Sequence, residues 1–274
     1  MLDYQNTSLK TEVLECYEKD NKIFVILSKT VFYPKSGGQL CDMGTIDDAN
    51  VLYVFKKNNI IIHEVDKMLS GTVHCILDLN RRYNNSKLHT SQHLLSAIFE
   101  KNGFNTESFV MKDNCFSIDV TSKITREEID CCENEINDLI FEGRRVLTRP
   151  YNKDQDIDLH ISDQDINMST IRVVCIEDLE KNMCGGTHVL NINKIRFLKI
   201  IKFKYNNHKT RLEVIIGDNA IKYLSKCFNE YCSILRLINQ NEVSAYNYIE
   251  SKLKDNKKFQ KTIKKQEKVI NGNK

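Results

Sequence analysis

Hydrophobic positions in the first third of the chain fall in short runs that turn residues separate at close intervals. Residues 22–27, 51–55 and 60–65 are rich in β-branched and aromatic side chains, which favour strands. Short strands joined by close turns are typical of a small antiparallel barrel. The pattern therefore predicts an N-terminal β-barrel domain over residues 1–84.

From about residue 85 the pattern changes to alternating helices and strands. An apolar stripe at helical spacing surrounds His89 and His93 and predicts a helix that ends near Asn102. Thr125 and Glu128 have the spacing of a capping box, which predicts a second helix from Thr125 to about residue 142. Strands are predicted at 116–120, 171–176, 195–203 and 210–216. These elements predict an α+β domain over residues 85–216.

Residues 217–274 have helical spacing throughout and are predicted to form a C-terminal helical extension. A heptad-like apolar stripe comprises Leu224, Phe228, Tyr231, Leu235 and Ile238. Residues 251–274 contain nine lysines and two acidic residues, whereas the net charge of the whole chain is only +3. Such a lysine run is either a solvated helix face or a contact for phosphate groups. The apolar stripe leaves a homodimer through these helices as a further alternative.

Composition limits the class of protein. At 274 residues the chain is long enough for two domains and an appendage. It has no apolar run of membrane-spanning length, so no membrane partner is predicted. The ten cysteines are scattered and no secretory leader precedes them, which indicates reduced thiols in a cytoplasmic protein.

Two pairs of metal-ligand residues stand ninety positions apart. His89 and His93 are four residues apart, so a helix projects both imidazoles from one face. Cys184 and His188 flank a loop with two glycines, which can turn a thiolate and an imidazole inward. Either pair alone is weak evidence, because most histidines at this spacing are ordinary helix residues. Together they supply the N and S ligands that zinc prefers, and they predict one zinc ion per chain.

Two other features bear on the chemistry. A zinc protease helix needs a glutamate beside its first histidine, and position 90 is threonine. Peptidase activity is therefore disfavoured. In the barrel, consecutive Gly37 and Gly38 allow the backbone to approach a ligand closely. The alternative for this segment is a plain hairpin loop.

These motifs resemble those of alanyl-tRNA editing domains, in the same order and over about residues 1–225. The matching segments are Thr30-x-Phe32-Tyr33-Pro34-x-x-Gly37-Gly38-Gln39, Asp42-x-Gly44, His89-x-x-x-His93-Leu94-Leu95 and Cys184-Gly185-Gly186-Thr187-His188-Val189. Because the chain begins directly at the barrel, it is similar to the free-standing AlaX-type proteins rather than to a full alanyl-tRNA synthetase.

The resemblance implies a zinc-dependent hydrolase that removes serine from mischarged Ser-tRNA(Ala), and it leaves open whether Gly-tRNA(Ala) is also a substrate. It implies that His89, His93, Cys184 and His188 hold the zinc and form the catalytic centre. The amino-acid pocket is expected at Thr30, whose hydroxyl would contact serine, and at the loop of Gly37, Gly38 and Gln39. Gln39 would contact the ester or the ribose.

The chain departs from the family pattern at two places. Lys35-Ser36 replaces an acidic residue followed by a small one, and Asn182 replaces an acidic residue two positions before the cysteine.

Two other functions compete with the leading one. The first is threonyl-tRNA editing, because that family shares both ligand pairs, although it generally lacks the barrel motif. The second is a tRNA-binding module without catalytic activity, because a Cys/His₃ set can bind zinc in a purely structural role.

Overall fold

Six antiparallel strands close into a barrel at the N-terminal end of the protein. The computed structural model describes residues 6–152 and 170–272. The barrel strands are β1 (Ser8–Lys19), β2 (Lys22–Leu27), β3 (Gly44–Ile46), β4 (Ala49–Lys57), β5 (Ile60–Val65) and β6 (Thr72–Leu77). Their order around the barrel is β1-β2-β5-β4-β3-β6. The predicted barrel is confirmed.

Alternation of side chains along the strands fills the barrel interior. Val25, Val54 and Val73 from three different strands are buried in one cluster, and Phe32 enters it from the segment between β2 and β3. Strands β1, β3 and β6 have no counterpart among the predicted strands. Most side chains of β1 are exposed or only half-buried, so its sequence lacks clear apolar alternation, and β3 has only three residues. Strand β6 alternates exposed and buried side chains, and its omission from the prediction is an error.

Helix α1 (Leu79–Lys101) follows the barrel directly. It begins where the Asp78 carboxylate accepts a hydrogen bond from the backbone N–H of Arg81, which satisfies a free donor of the first turn. It ends at Asn102, as the sequence predicts. Helix α2 (Arg126–Glu142) carries the predicted capping box, with Thr125 and Glu128 bonded reciprocally.

Two sheets complete the α+β region. One contains β7 (Thr106–Met111), β8 (Cys115–Val120), β12 (Leu198–Asn206) and β13 (Lys209–Ile216), and the other contains β9 (Val146–Asn152), β10 (Thr170–Ile176) and β11 (Glu180–Met183). Apolar residues of both helices and both sheets share one core. The predicted strand at 195–203 begins later than expected, because Ile192–Ile195 forms a 3-10 turn. The predicted α+β class is confirmed.

The chain divides into two compact units, residues 1–221 and 222–274. Helices α3 (Gly217–Ile238) and α4 (Ala245–Gly272) account for nearly all of the described residues after 216, which confirms the predicted helical extension. The predicted domain limits at 84 and 216 stay predictions. Among the described residues, no helix combines the length and apolarity that crossing a membrane requires.

Candidate metal centre

Helix α1 and the loop after β11 bring the two predicted ligand pairs together. One potential ligand atom from each of His89, His93, Cys184 and His188 lies within 4.8 Å of all the others. The Cys184 sulfur is 3.5 Å from His89 Nε2 and 3.3 Å from His188 Nε2. The two histidines of α1 are buried, and the loop residues are half-buried. This arrangement can hold a metal ion.

Each of the three imidazoles is fixed through its Nδ1 atom. His89 Nδ1 lies 2.7 Å from the Gln39 amide oxygen, His93 Nδ1 lies 3.3 Å from Glu180 Oε1, and His188 Nδ1 lies 3.2 Å from the Thr90 hydroxyl. A histidine that donates from Nδ1 keeps the lone pair of Nε2 for a metal, and such partners fix both ring orientation and tautomer. All three rings are therefore arranged to present Nε2 to the centre.

The charge state of the cluster favours the thiolate of Cys184. Burial raises the pKa of the thiol, but hydrogen bonds with His188, His89 and His93 outweigh it and hold the pKa well below its usual range. Burial alone would lower the pKa of His93, whereas its bonds to Cys184 and Glu180 raise it to about 10. Burial lowers the pKa of His188 to about 3. The hydrogen bonds of the cluster thus favour the thiolate of Cys184, and a thiolate is the form that binds metals.

The loop between Cys184 and His188 passes very close to helix α1. The backbone N–H of Gly186 donates to the Cys184 sulfur at 3.3 Å. A Cβ atom at Gly186 would overlap the His89 imidazole and approach the Gln39 amide oxygen. A Cβ at Gly185 would meet nothing within 4 Å. Only the second glycine is therefore required by the close approach of the loop to the helix.

The Gly-Gly-Gln segment is a tight hairpin turn that reaches this centre. Gly37 and Gly38 both have positive φ, as a type I′ turn needs, and Ser36 and Gln39 exchange backbone hydrogen bonds across it. A Cβ at Gly38 would collide with Phe109, whose ring stacks on His89 at 5.5 Å. The turn thus brings the Gln39 side chain into the metal centre.

Gln39 is fully buried, and both ends of its amide are bonded. Its oxygen accepts from His89 Nδ1 and from the Thr187 backbone N–H, and its nitrogen donates to the Thr187 hydroxyl at 2.9 Å. Ser86 on α1 donates to the same hydroxyl. Gln39 therefore connects the barrel turn, helix α1 and the ligand loop.

Thr30 lies in the barrel. Within the described residues, its hydrogen bonds are made with partners other than the four cluster residues. Its hydroxyl is 2.8 Å from His63 Nε2 and accepts a bond from the Phe32 backbone N–H. His63 Nδ1 lies 3.1 Å from the Val25 carbonyl oxygen, to which it donates. This bond leaves His63 Nε2 as an acceptor, so the Thr30 hydroxyl donates to it.

Sequence reasoning missed four residues around these sites. Thr90 and Thr187 lie within the two ligand motifs, so the sequence places them near the cluster, but it does not reveal their hydrogen-bond partners. Glu180 and His63 belong to no local motif, and their partners come from other elements. Only the folded chain identifies them.

Comparison with known proteins shows a similarity over the segment that contains Cys184 and His188. Residues 171–213, which include Cys184 and His188, match the family described as "Threonyl and Alanyl tRNA synthetase second additional domain". The match begins at the second residue of β10 and ends within β13. This segment of the chain is therefore similar to that family.

Individual relatives give a closer comparison over most of the chain. The alanyl-tRNA editing protein Aarsd1-B of Xenopus laevis is 30% identical over 86% of this chain and 62% of its own length. The alanyl-tRNA editing protein AlaX-L of Pyrococcus horikoshii is 28% identical over 84% of this chain and 60% of its own. The alanine--tRNA ligase of Nitrosopumilus maritimus is 32% identical, over 73% of this chain but only 24% of the ligase. The predicted resemblance to alanyl-tRNA editing proteins is confirmed, although the chain spans about three fifths of the two editing proteins.

Proposed function

We propose that this protein is an aminoacyl-tRNA editing hydrolase that removes serine from Ser-tRNA(Ala). The observation that carries the proposal is the convergence of three Nε2 atoms and one thiolate, each imidazole being held through its Nδ1. The editing names of relatives that match more than four fifths of this chain point in the same direction. Mischarged tRNA(Ala) is the proposed partner, and the cytoplasm the predicted location.

Zinc is the proposed cofactor, with one ion per chain. Zinc takes sulfur at about 2.3 Å and imidazole nitrogen at about 2.0–2.1 Å in tetrahedral geometry. The sulfur-to-nitrogen distances of 3.3 and 3.5 Å suit such a site. When bound, zinc supplies a Lewis acid that polarises an ester carbonyl or lowers the pKa of a water molecule. Four protein ligands would complete a tetrahedron, so zinc would need a fifth position or the release of one ligand to activate water, or it would chiefly orient the aminoacyl ester.

The residues of the chain supply orientation around that centre. The Gln39 amide oxygen and the Glu180 carboxylate keep His89 and His93 in the tautomer that leaves Nε2 free, and the Thr90 hydroxyl holds the His188 ring in place. The loop of Gly37 and Gly38 brings Gln39 to the cluster, and a contact from this loop to the ester or the ribose stays part of the proposal.

Selection of serine over alanine is proposed for Thr30. A site that hydrogen-bonds a hydroxyl rejects a substrate lacking it far better than an apolar pocket can. Since the Thr30 hydroxyl donates to His63 and accepts from Phe32, one lone pair of its oxygen is left. Thr30 would therefore accept a hydrogen bond from the serine side chain.

Comparing four substrates tests this function. Deacylation of Ser-tRNA(Ala), Gly-tRNA(Ala), Ser-tRNA(Thr) and Ala-tRNA(Ala) is measured with and without a zinc chelator. We expect rapid, chelator-sensitive loss of serine from tRNA(Ala), with alanine retained. Preference for Ser-tRNA(Thr) would assign the protein to threonyl-tRNA editing. Binding of tRNA without deacylation would make it a zinc-stabilised tRNA-binding module. The glycine substrate measures how wide the specificity is.

A further inference from the structure

Glu180 places a buried carboxylate beside the metal centre. Its side chain is 10% exposed, and His93 Nδ1 donates to its Oε1 atom at 3.3 Å. The Asn182 amide nitrogen donates to the same oxygen. The other oxygen, Oε2, is buried and has no hydrogen-bond partner among the described residues. The Glu180 carboxylate therefore accepts its hydrogen bond from His93 through one oxygen only, Oε1.

Strand periodicity explains why these side chains meet. Glu180 and Asn182 alternate along β11, which pairs with β10 through Ile176 and Val174. The backbone N–H of Cys184 continues this pairing by donating to the Arg172 carbonyl at 3.1 Å. Since every second residue of an extended chain points to the same face, Glu180, Asn182 and Cys184 all face the metal centre. Strand β11 and the residue that follows it therefore supply a carboxylate, the amide that bonds the carboxylate and a candidate ligand.

The three Nδ1 partners differ in charge. His89 is held by an amide oxygen and His188 by a hydroxyl, both neutral, whereas His93 is held by a carboxylate. Hydrogen bonds to a charged acceptor are about twice as strong as neutral ones. A carboxylate partner also increases the basicity of a metal-bound imidazole. His93 is therefore the ligand with the strongest outer support.

We propose that Glu180 is the positioning residue that makes His93 the firmest histidine ligand, and that Asn182 orients the Glu180 carboxylate. The inference rests on the metal centre of the proposed function and adds a residue outside the ligand set. It also gives Asn182, an amide where the family usually has an acid, a specific structural role.

Zinc affinity and cobalt spectroscopy test the proposal on the full-length protein. In Glu180→Gln the acceptor is kept but its charge is removed, and we expect zinc binding to weaken by ~10–100-fold. The absorption spectrum of the Co²⁺-substituted protein should shift, because the ligand field at His93 changes. Glu177→Gln is the matched control. It alters a carboxylate at the end of β10 that pairs with Arg145 instead, so both measurements should match the wild type.

Two further variants keep the test decisive if Glu180→Gln folds poorly. Asn182→Ala leaves the carboxylate but removes its orienting amide, and a smaller loss of zinc affinity is expected. Glu180→Gln combined with Asn182→Asp restores a carboxylate near His93 and should recover part of the affinity. If both Glu180→Gln and Asn182→Ala keep the zinc affinity and cobalt spectrum of the wild type, this inference is overturned but the proposed metal centre is not. A wild-type protein that binds no zinc would overturn the proposed metal centre as well.

Discussion

Gln39 and His89 lie fifty residues apart in sequence and are joined by a 2.7 Å hydrogen bond. The bond ties a turn of the barrel to a helix of the α+β region, at the imidazole predicted to bind zinc. Gln39 was expected to contact substrate, and that role stays a prediction. The bonds that its buried amide makes indicate that it also orients His89.

Removing the only sulfur ligand should abolish metal binding. We expect Cys184→Ala to lose zinc, because the substitution removes the thiolate, the one anionic ligand among the four cluster residues. Metal analysis of the purified protein measures the loss. Cys175→Ala is the control, since Cys175 lies on β10 outside the cluster and its removal should leave the zinc content unchanged. Full occupancy in Cys184→Ala would remove Cys184 from the site.

The two glycines of the ligand loop should respond differently to substitution. Gly186→Ala places a methyl group against the His89 ring, whereas Gly185→Ala meets nothing within 4 Å. We therefore expect Gly186→Ala to weaken zinc binding by at least ~10-fold, the scale on which misplaced ligands act. Gly185→Ala should bind zinc as the wild type does. Equal zinc titration curves for the two variants would contradict the close approach of this loop to helix α1.

Thr30→Val removes a hydroxyl with little change of shape. We expect a narrower ratio of serine to alanine removal, chiefly through slower removal of serine, with zinc content unchanged. The variant also leaves His63 Nε2 without its donor, a loss of about 1–3 kcal/mol in the free energy of unfolding. Thr30→Ser keeps the hydroxyl and is the control for selectivity. If Thr30→Val keeps the wild-type ratio, Thr30 is not part of the recognition site.

His63 should make stability depend on pH. Burial lowers the pKa of His63 from an ordinary 6.5 to about 4, although the bond to Val25 opposes the shift. Between these values the unfolded chain binds a proton that the folded chain does not, so the free energy of unfolding falls as pH falls from 6.5 to 4. The full loss is about 3 kcal/mol. Denaturant titrations measure the free energy of unfolding at pH 7 and pH 4.5. The difference between the two values should be smaller in His63→Gln than in the wild type, and an equal difference would contradict this assignment.

The lysine-rich helix α4 offers a test of tRNA contact. Lys257, Lys261 and Lys264 lie along one side of the helix at 100° per residue, and none of them forms an ion pair within the described residues. If they contact phosphates, changing all three to glutamine should raise KM and reduce the salt slope by about 0.7–0.9 per lost contact. Truncation after Ser251 should have a larger effect of the same kind, with kcat similar. If the salt dependence of KM is unchanged in both variants, the lysine run is a solvated helix face or part of a homodimer. Sedimentation analysis of the wild type distinguishes these two alternatives.

Local motifs made the candidate metal ligands predictable, whereas the residues that hydrogen-bond to them come from distant parts of the chain and were not predictable. His89, His93, Cys184 and His188 follow fixed spacings within two short segments. The carboxylate of Glu180 becomes relevant only when β11 packs beside α1, and no spacing encodes that packing. In the barrel, β-rich runs identified β2, β4 and β5, but not the largely exposed β1, the three-residue β3 or β6.

The separation of the pieces of the metal centre has a consequence for folding. Gln39 and Thr187 are 148 residues apart in the chain, and Cys184 and His89 are 95 apart. Closing loops of this length costs conformational entropy, which must be lost before these contacts form. We therefore expect the centre to assemble after the barrel and the α+β core. Zinc would be captured late, by a chain already folded, so the rate of zinc uptake during refolding would report on the last step of assembly.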